Sequence, residues 1–295
     1  MLKRVLVPLD GSSLAELAIE PALHLVQQTD GTVYLMRVPV YTDSGAQTSS
    51  EYHRDWAADN AIPEHEDAAA YLRDTRNNVL RPGVSVKTTV GDGNRADAII
   101  NTAVSHDVDL IVMATHARIG LTRWLLGSVA GKVIRQAQSP VLLIRQPSDY
   151  DHILVTLDGS ELAERVIGSA LALAAGFGSR ITFLQVDDES EADLKKGAVT
   201  ASDNNRPVST RETYLDSIIS QYAQSGVEMD AVTVNGPVTN NILSYAAQNG
   251  VNLIAMSTRG RSGLPKLVFG SVTEKVMCDA GCAMLIVRPP DQEIS

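Results

Sequence analysis

The chain has 295 residues, with 35 acidic against 25 basic side chains, a formal net charge of −10 and a pI near 5.0. That balance excludes non-specific nucleic-acid binding, which needs cations to neutralise phosphates. No apolar run approaches the ~18 residues of a membrane span and neither end reads as a secretory signal, so a cytoplasmic protein that neither spans a membrane nor binds nucleic acid is expected.

Short runs rich in Val, Ile and Leu predict strands at 4–9, 33–38, 85–90, 110–115 and 141–144. Helical patterns lie between them at 14–27, 64–79, 96–105 and 129–138. Five further strands are predicted at 153–157, 181–186, 229–234, 253–258 and 284–287. Most of these runs are continuous rather than alternating, as expected of strands buried on both faces of a parallel sheet. The βαβ rhythm argues for α/β architecture with right-handed crossovers and helices on both faces.

Local signals refine the helices. Ser13 and Glu16 have capping-box spacing, as do Ser271 and Glu274, and Ser160 can cap the helix that follows it. Pro21 should kink or break the first helix. The run Gln138-Ser139-Pro140 stops the last helix of the first half. Two polar segments, 39–63 and 187–212, fit no element and read as loops or lids. Cys278 and Cys282 are the only cysteines, and with no His nearby they read as two buried thiols rather than a zinc site.

The chain says the same thing twice. RVLVPLDGS at 4–12 returns as HILVTLDGS at 152–160, and GLTRWLLGSVAGKVI at 120–134 returns as GLPKLVFGSVTEKVM at 263–277. The offsets are 148 and 143 residues, so the chain is a tandem duplication with expected domains 1–147 and 148–295.

In an open parallel sheet, ligands bind beyond the carboxyl ends of the strands where strand order reverses. Asp10 and Asp158 follow strand one of each repeat, and Gly127-Ser128 and Gly270-Ser271 open the last helix of each. A helix N-terminus offers unpaired N–H groups and about half a positive charge, which suits phosphate oxygens. A plain Asp-Gly turn and a plain N-cap would explain the same residues singly. There is no G-x4-GK[ST], no G-x-S-x-G and no metal-spaced His pair, so neither an enzyme of those classes nor a metal site is expected.

These residues carry a resemblance to the universal stress protein family. The strand-Asp-Gly-Ser opening, the glycine loop after strand four and the Gly-Ser step nine residues later cover nearly all of both halves. The family's nucleotide-binding motif is G-x2-G-x9-G-[ST]. Here the second half has Ser257, Arg259, Gly260, Gly270 and Ser271, and the first has Ala114, His116, Ala117, Gly127 and Ser128. The resemblance implies two open, five-stranded parallel sheets ordered 3-2-1-4-5, an adenine-nucleotide alpha-hydrolase-like fold. It implies ATP as ligand, with or without Mg²⁺, held in the second domain by Thr156, Asp158, Val186, Ser257, Arg259, Gly260, Gly270, Ser271 and Val272. The less complete site of the first domain would use Pro8, Asp10, Val38, Ala114, His116, Ala117, Gly127, Ser128 and Val129. It further implies a stress-response sensor or adaptor without catalytic residues, its domains paired through strands 141–144 and 284–287 as a pseudo-dimer or joined in a homodimer, with an unknown protein partner. The rival expectation is an interaction protein that has lost the nucleotide. The Ala replacements favour it, because a methyl crowds close phosphate approach and penalises positive φ by roughly 1–2 kcal/mol where that is required.

Overall fold

A computed structural model of the chain describes residues 2–39, 52–115, 127–187, 208–258 and 270–289, with side chains described from 64 and from 213 in the two helices that begin at 52 and 208. Contacts cluster into two compact units, Leu2–Ala114 and Thr115–Ser295. This division follows packing, whereas the repeat boundary at 147/148 follows sequence.

In Leu2–Ala114 the strands are β1 (Arg4–Leu9), β2 (Thr32–Arg37), β3 (Ser85–Val90) and β4 (Leu110–Ala114). They lie in the order β3-β2-β1-β4, all parallel. The helices are α1 (Ser13–Glu16), α2 (Ile19–Gln27), α3 (Tyr52–Val79) and α4 (Arg95–Ser105). Val5, Leu6, Val7, Val33, Leu35 and Met36 have no solvent exposure, as the continuous apolar runs require.

Pro21 does break the first helix. Its missing N–H removes an intrahelical bond, and the chain responds with tighter turns, Leu17 N–H to the Leu14 carbonyl at 3.0 Å and Ala18 N–H to Ala15 at 3.2 Å. The second repeat has Ser169 there and its helix runs unbroken over Glu161–Phe177.

In Thr115–Ser295 the strands are β5 (Val141–Ile144), β6 (His152–Leu157), β7 (Arg180–Asp187), β8 (Met229–Asn235), β9 (Leu253–Ser257) and β10 (Ala283–Val287). The helices are α5 (Ser128–Gln136), α6 (Glu161–Phe177), α7 (Val208–Tyr222), α8 (Val238–Gln248) and α9 (Ser271–Asp279). The order β8-β7-β6-β9-β10 reproduces the expected 3-2-1-4-5, and these five are parallel. Each sequence repeat therefore supplies five strands. β5 joins β10 antiparallel, with Leu143 opposite Met284 and Val141 opposite Ile286. All four β5 residues are buried, so this shared ladder explains why α5 and β5 cluster with the second repeat.

Four local expectations need correction. The segment read as a loop at 39–63 is helical from Tyr52, and the one at 187–212 is helical from Val208, while 40–51 and 188–207 lie outside the described residues. The first cap is Ser12, not Ser13: Ser12 Oγ accepts from Ala15 N–H at 3.1 Å, because the Asp-Gly turn delivers Ser12 to the non-helical position. The α9 cap is Gly270, so Ser271 is already inside the helix. Cys278 and Cys282 are free thiols, but each is half-buried rather than buried.

Candidate functional site

The second repeat builds its carboxyl-end crevice within one unit. β6 lies between β7 and β9, with Thr156 opposite Leu184 and Val155 opposite Ala255. The chain leaving β6 turns at Gly159, whose φ of +80° is the left-handed region that glycine enters without strain. Asp158 Oδ1 accepts from Ser160 N–H at 3.0 Å and Ser160 Oγ at 2.5 Å, and Ser160 Oγ accepts from Ala163 N–H at 3.1 Å. One carboxylate oxygen therefore builds the turn while the residue stays exposed.

The first repeat repeats this turn almost atom for atom. Gly11 has φ +88°, and Asp10 Oδ1 accepts from Ser12 N–H at 2.9 Å and Ser12 Oγ at 2.6 Å. Burial would raise the Asp10 carboxyl, but the Ser12 bonds outweigh it and, with Arg95, hold it below the usual range. Both Asp residues thus have a structural task whether or not they meet a ligand.

Across the second crevice, β9 ends at Ser257 and α9 begins at Gly270. Thr273 Oγ1 donates to the Ser257 carbonyl at 3.5 Å, which sets the first turn of α9 at the strand end. Among the described residues no side chain caps α9, and Gly270 has none to offer its leading N–H groups. Ser257 Oγ is buried with no hydrogen-bond partner among the described residues. Val186, opposite Val234 in β7, is half-buried and so is Val272 in the first turn of α9. Arg259 and Gly260 lie outside the described residues.

Of the first-repeat candidates, Pro8, Asp10, Val38 and Ala114 belong to the unit Leu2–Ala114. Pro8 sits in β1 opposite Met36, Val38 follows β2, and Ala114 ends β4. Gly127, Ser128 and Val129 belong to the other unit, where α5 also begins at an uncapped glycine. A Cβ on Gly127 would meet nothing within 4 Å among the described residues. His116 and Ala117 lie outside the described residues. Neither Ala114 nor Ser257 has positive φ, so the backbone penalty expected for replacing glycine does not arise at those two positions.

The family's sequence profile, that of the universal stress protein family, matches residues 1–145 and again 149–288. The chain belongs to the universal stress protein family. It carries two Usp domains, and it is similar end to end to the universal stress protein E homolog of Haemophilus influenzae, at 23% identity with 99% of each chain covered. The single-domain universal stress protein YxiE of Bacillus subtilis is 29% identical over 154 residues, 47% of this chain and 99% of that one. A universal stress protein structure from Archaeoglobus fulgidus shares the fold at TM-score 0.69 and 17% identity, covering 97% of this chain and 98% of that one. Among the described residues no helix is long and apolar enough to cross a membrane, and no cluster of three His, Cys, Asp or Glu is disposed to hold a metal.

Sequence reasoning missed a second layer behind the turns. Tyr71 OH donates to Glu16 Oε1 at 2.7 Å, and Tyr214 OH donates to Glu164 Oε1 at 2.9 Å. Burial first, then the carboxylate, pushes Tyr71 up to about 12 and raises Tyr214 as well, so both hydroxyls stay protonated donors. The signal was available: Tyr71 and Tyr214 share the 143-residue offset, and Glu16 and Glu164 the 148-residue one.

Proposed function

We propose that the chain is a stress-response sensor or adaptor that binds an adenine nucleotide, with the second repeat as its principal site. The observation that carries this reading is the start of α9, without a side-chain cap among the described residues, held at the end of β9 one strand away from the Asp158 turn. Phosphate oxygens would accept from the N–H groups around Gly270 and Ser271, where the helix dipole favours negative charge. Ser257 Oγ, buried and unmatched, would gain a partner on the ligand. Val186 and Val272 offer the half-buried apolar surface an adenine ring needs. Thr156 in β6 and Asp158 in the turn after it would stand beside that surface, and Arg259 and Gly260 would complete the phosphate loop by sequence.

ATP, with or without Mg²⁺, is the ligand this arrangement suits. The described residues suggest no general base for hydrolysis, so turnover beyond a slow background forms no part of the proposal, and the cytoplasm is the proposed location. Equilibrium titration with ATP tests it. Saturable micromolar binding that Gly270→Asp abolishes is the expected result; no binding with or without Mg²⁺ would sink it. That second outcome would favour a nucleotide-independent interaction protein, whose specific support is that Asp10 and Asp158 already spend a carboxylate oxygen on their own turns.

A further inference from the structure

The two repeats differ in a residue that faces the same turn. Arg37 and Gln185 are equivalent by the 148-residue offset: Arg37 ends β2 opposite Leu9, and Gln185 lies in β7 opposite Leu157. Both side chains reach the glycine that follows the strand-one Asp. A Cβ built on Gly11 would stand 3.2 Å from Arg37 Nη2 and 3.4 Å from its Cζ; one on Gly159 would stand 3.7 Å from Gln185 Nε2.

In the first repeat this position is filled from within. The Arg37 guanidinium lies over the Tyr71 ring, 4.7 Å from its centroid, and Tyr71 is itself tied to Glu16. His65 Nε2 meets Asp92 Oδ1 at 2.6 Å, joining α3 to the loop after β3. Val38 is only 8% exposed, and its Cγ2 packs where a Gly91 Cβ would be 3.2 Å away. In the second repeat the equivalent groups are left open. Gln185 Oε1 is buried without a partner among the described residues, Val186 keeps solvent exposure, and Ser257 Oγ is unmatched. Tyr214 and Glu164 still stand in the places of Tyr71 and Glu16.

We infer that Arg37 and Gln185 set the ligand stoichiometry of the chain: Arg37, seated on Tyr71, closes the first repeat, and Gln185 keeps the second open to one nucleotide. This deepens the nucleotide reading and rests on it for the ligand, but not for the closure. A buried acceptor such as Gln185 Oε1 is costly while unpaired and gains a partner only from a donor, such as a ribose hydroxyl, so an open site rewards binding. At the position of Gln185 the first repeat has no such acceptor, because the Arg37 guanidinium offers donors alone and is already seated against an aromatic face.

The test exchanges the two residues in the full chain. Hydrogen exchange without ligand should show amides at 11–13 and 38 opening at least ten-fold more slowly than those at 159–161 and 186. Arg37→Gln should remove that difference, and Tyr71→Leu, which takes away the seat but leaves the charge, should move it the same way. With ATP, the wild-type chain should bind one nucleotide and protect only the second repeat. Gln185→Arg should weaken that binding at least ten-fold, since Tyr214 stands ready to seat the new guanidinium. Two nucleotides bound per wild-type chain would overturn the inference, as would Arg37→Gln and Tyr71→Leu leaving exchange unchanged, or Gln185→Arg keeping affinity within two-fold. If no variant binds ATP, the nucleotide reading fails, and the ligand-free exchange comparison still decides the closure.

Discussion

Arg145 and Arg288 stand 143 residues apart, at equivalent positions just after β5 and β10, and each donates to the carbonyl end of the other repeat's last helix. Arg145 Nη1 donates to the Ala280 carbonyl and its Nη2 to Met277, at the end of α9. Arg288 Nη1 donates to the Gln136 carbonyl, the end of α5, at 2.9 Å. The residues beside them match too: Thr115 N–H donates to Ile144 at 2.8 Å and Thr258 N–H to Val287 at 2.9 Å. A cation at a helix C-terminus opposes the dipole and satisfies carbonyls that have no intrahelical partner. The antiparallel β5–β10 ladder is thus locked from both sides by the side chains that follow it.

The two members of this clamp should not contribute equally. Arg145 is 5% exposed, and burial pulls its guanidinium below its usual range, with Cys282 and Cys278 acting against that. Arg145→Ala would strand the Ala280 and Met277 carbonyls and leave a cavity, so a loss of about 2–4 kcal/mol is expected in urea unfolding. Arg288→Ala, at a solvent-facing bond, should lose less than about 1 kcal/mol. Equal effects from the two variants would show that the clamp is not what holds the ladder.

Much of this was legible from residues. Continuous apolar runs such as those of β6 and β9 read as strands buried on both faces of a parallel sheet, and the observed spans differ from the expected ones by a residue or so. Caps were less legible, because Ser12 and Ser13 compete for one position. The turn decides between them: once Gly11 takes positive φ, Ser12 is the residue delivered to the helix start. The helix from Tyr52 was hidden by a polar stretch containing Pro63, whose composition resembles a loop. The pairing of β5 with β10 was expected from the family resemblance, and the structure adds that it is antiparallel. The clamp on it was not expected, since a lone Arg after a strand carries no pattern until its partner's offset is noticed.

Removing the serine cap should cost the same in either repeat if the turn is one device used twice. Ser12 and Ser160 make bonds that agree to about 0.1 Å. Ser12→Ala and Ser160→Ala should each lower stability by about 1 kcal/mol, read as a shift in urea midpoint. A null effect at Ser160 alone would mean that α6, unbroken by proline, starts without its cap.

Gly31 is required by space rather than by φ. A Cβ there would stand 2.7 Å from the Lys3 carbonyl oxygen and 2.8 Å from Val26 Cβ, both parts of the packed entry to β2. Lys3 O already accepts from Thr32 N–H at 2.6 Å, so it cannot withdraw without breaking the first β1–β2 bond. Gly31→Ala should therefore destabilise by about 1–3 kcal/mol in thermal or urea unfolding. Wild-type stability in that variant would show the β1–β2 entry to be looser than its packing implies.

His152 should give the chain a pH-dependent stability on the acid side. The ring is 2% exposed, with Nδ1 bonded to the Asn249 carbonyl at 3.1 Å and Nε2 to Thr182 Oγ1 at 2.8 Å. A neutral imidazole fits: Nδ1 meets both the Asn249 carbonyl and, at 2.9 Å, Arg180 Nη2, so a doubly protonated ring would set its Nδ1–H against the guanidinium N–H. Burial lowers its pKa from the ordinary 6.5 and outweighs the bond to the Asn249 backbone, which raises it; the Arg180 guanidinium beside Nδ1 lowers it further, against weaker pulls from Asp230 and Asp151. The folded state therefore resists a proton that the unfolded chain accepts below about pH 6.5. Stability is full above that pH and falls as pH drops toward the lowered folded value, with a slope from this group of at most about 1.4 kcal/mol per pH unit. Urea unfolding of the wild type and His152→Gln between pH 7.5 and 5 checks this. The wild type should lose stability more steeply than the variant, and parallel pH profiles would remove His152 from the account of acid sensitivity.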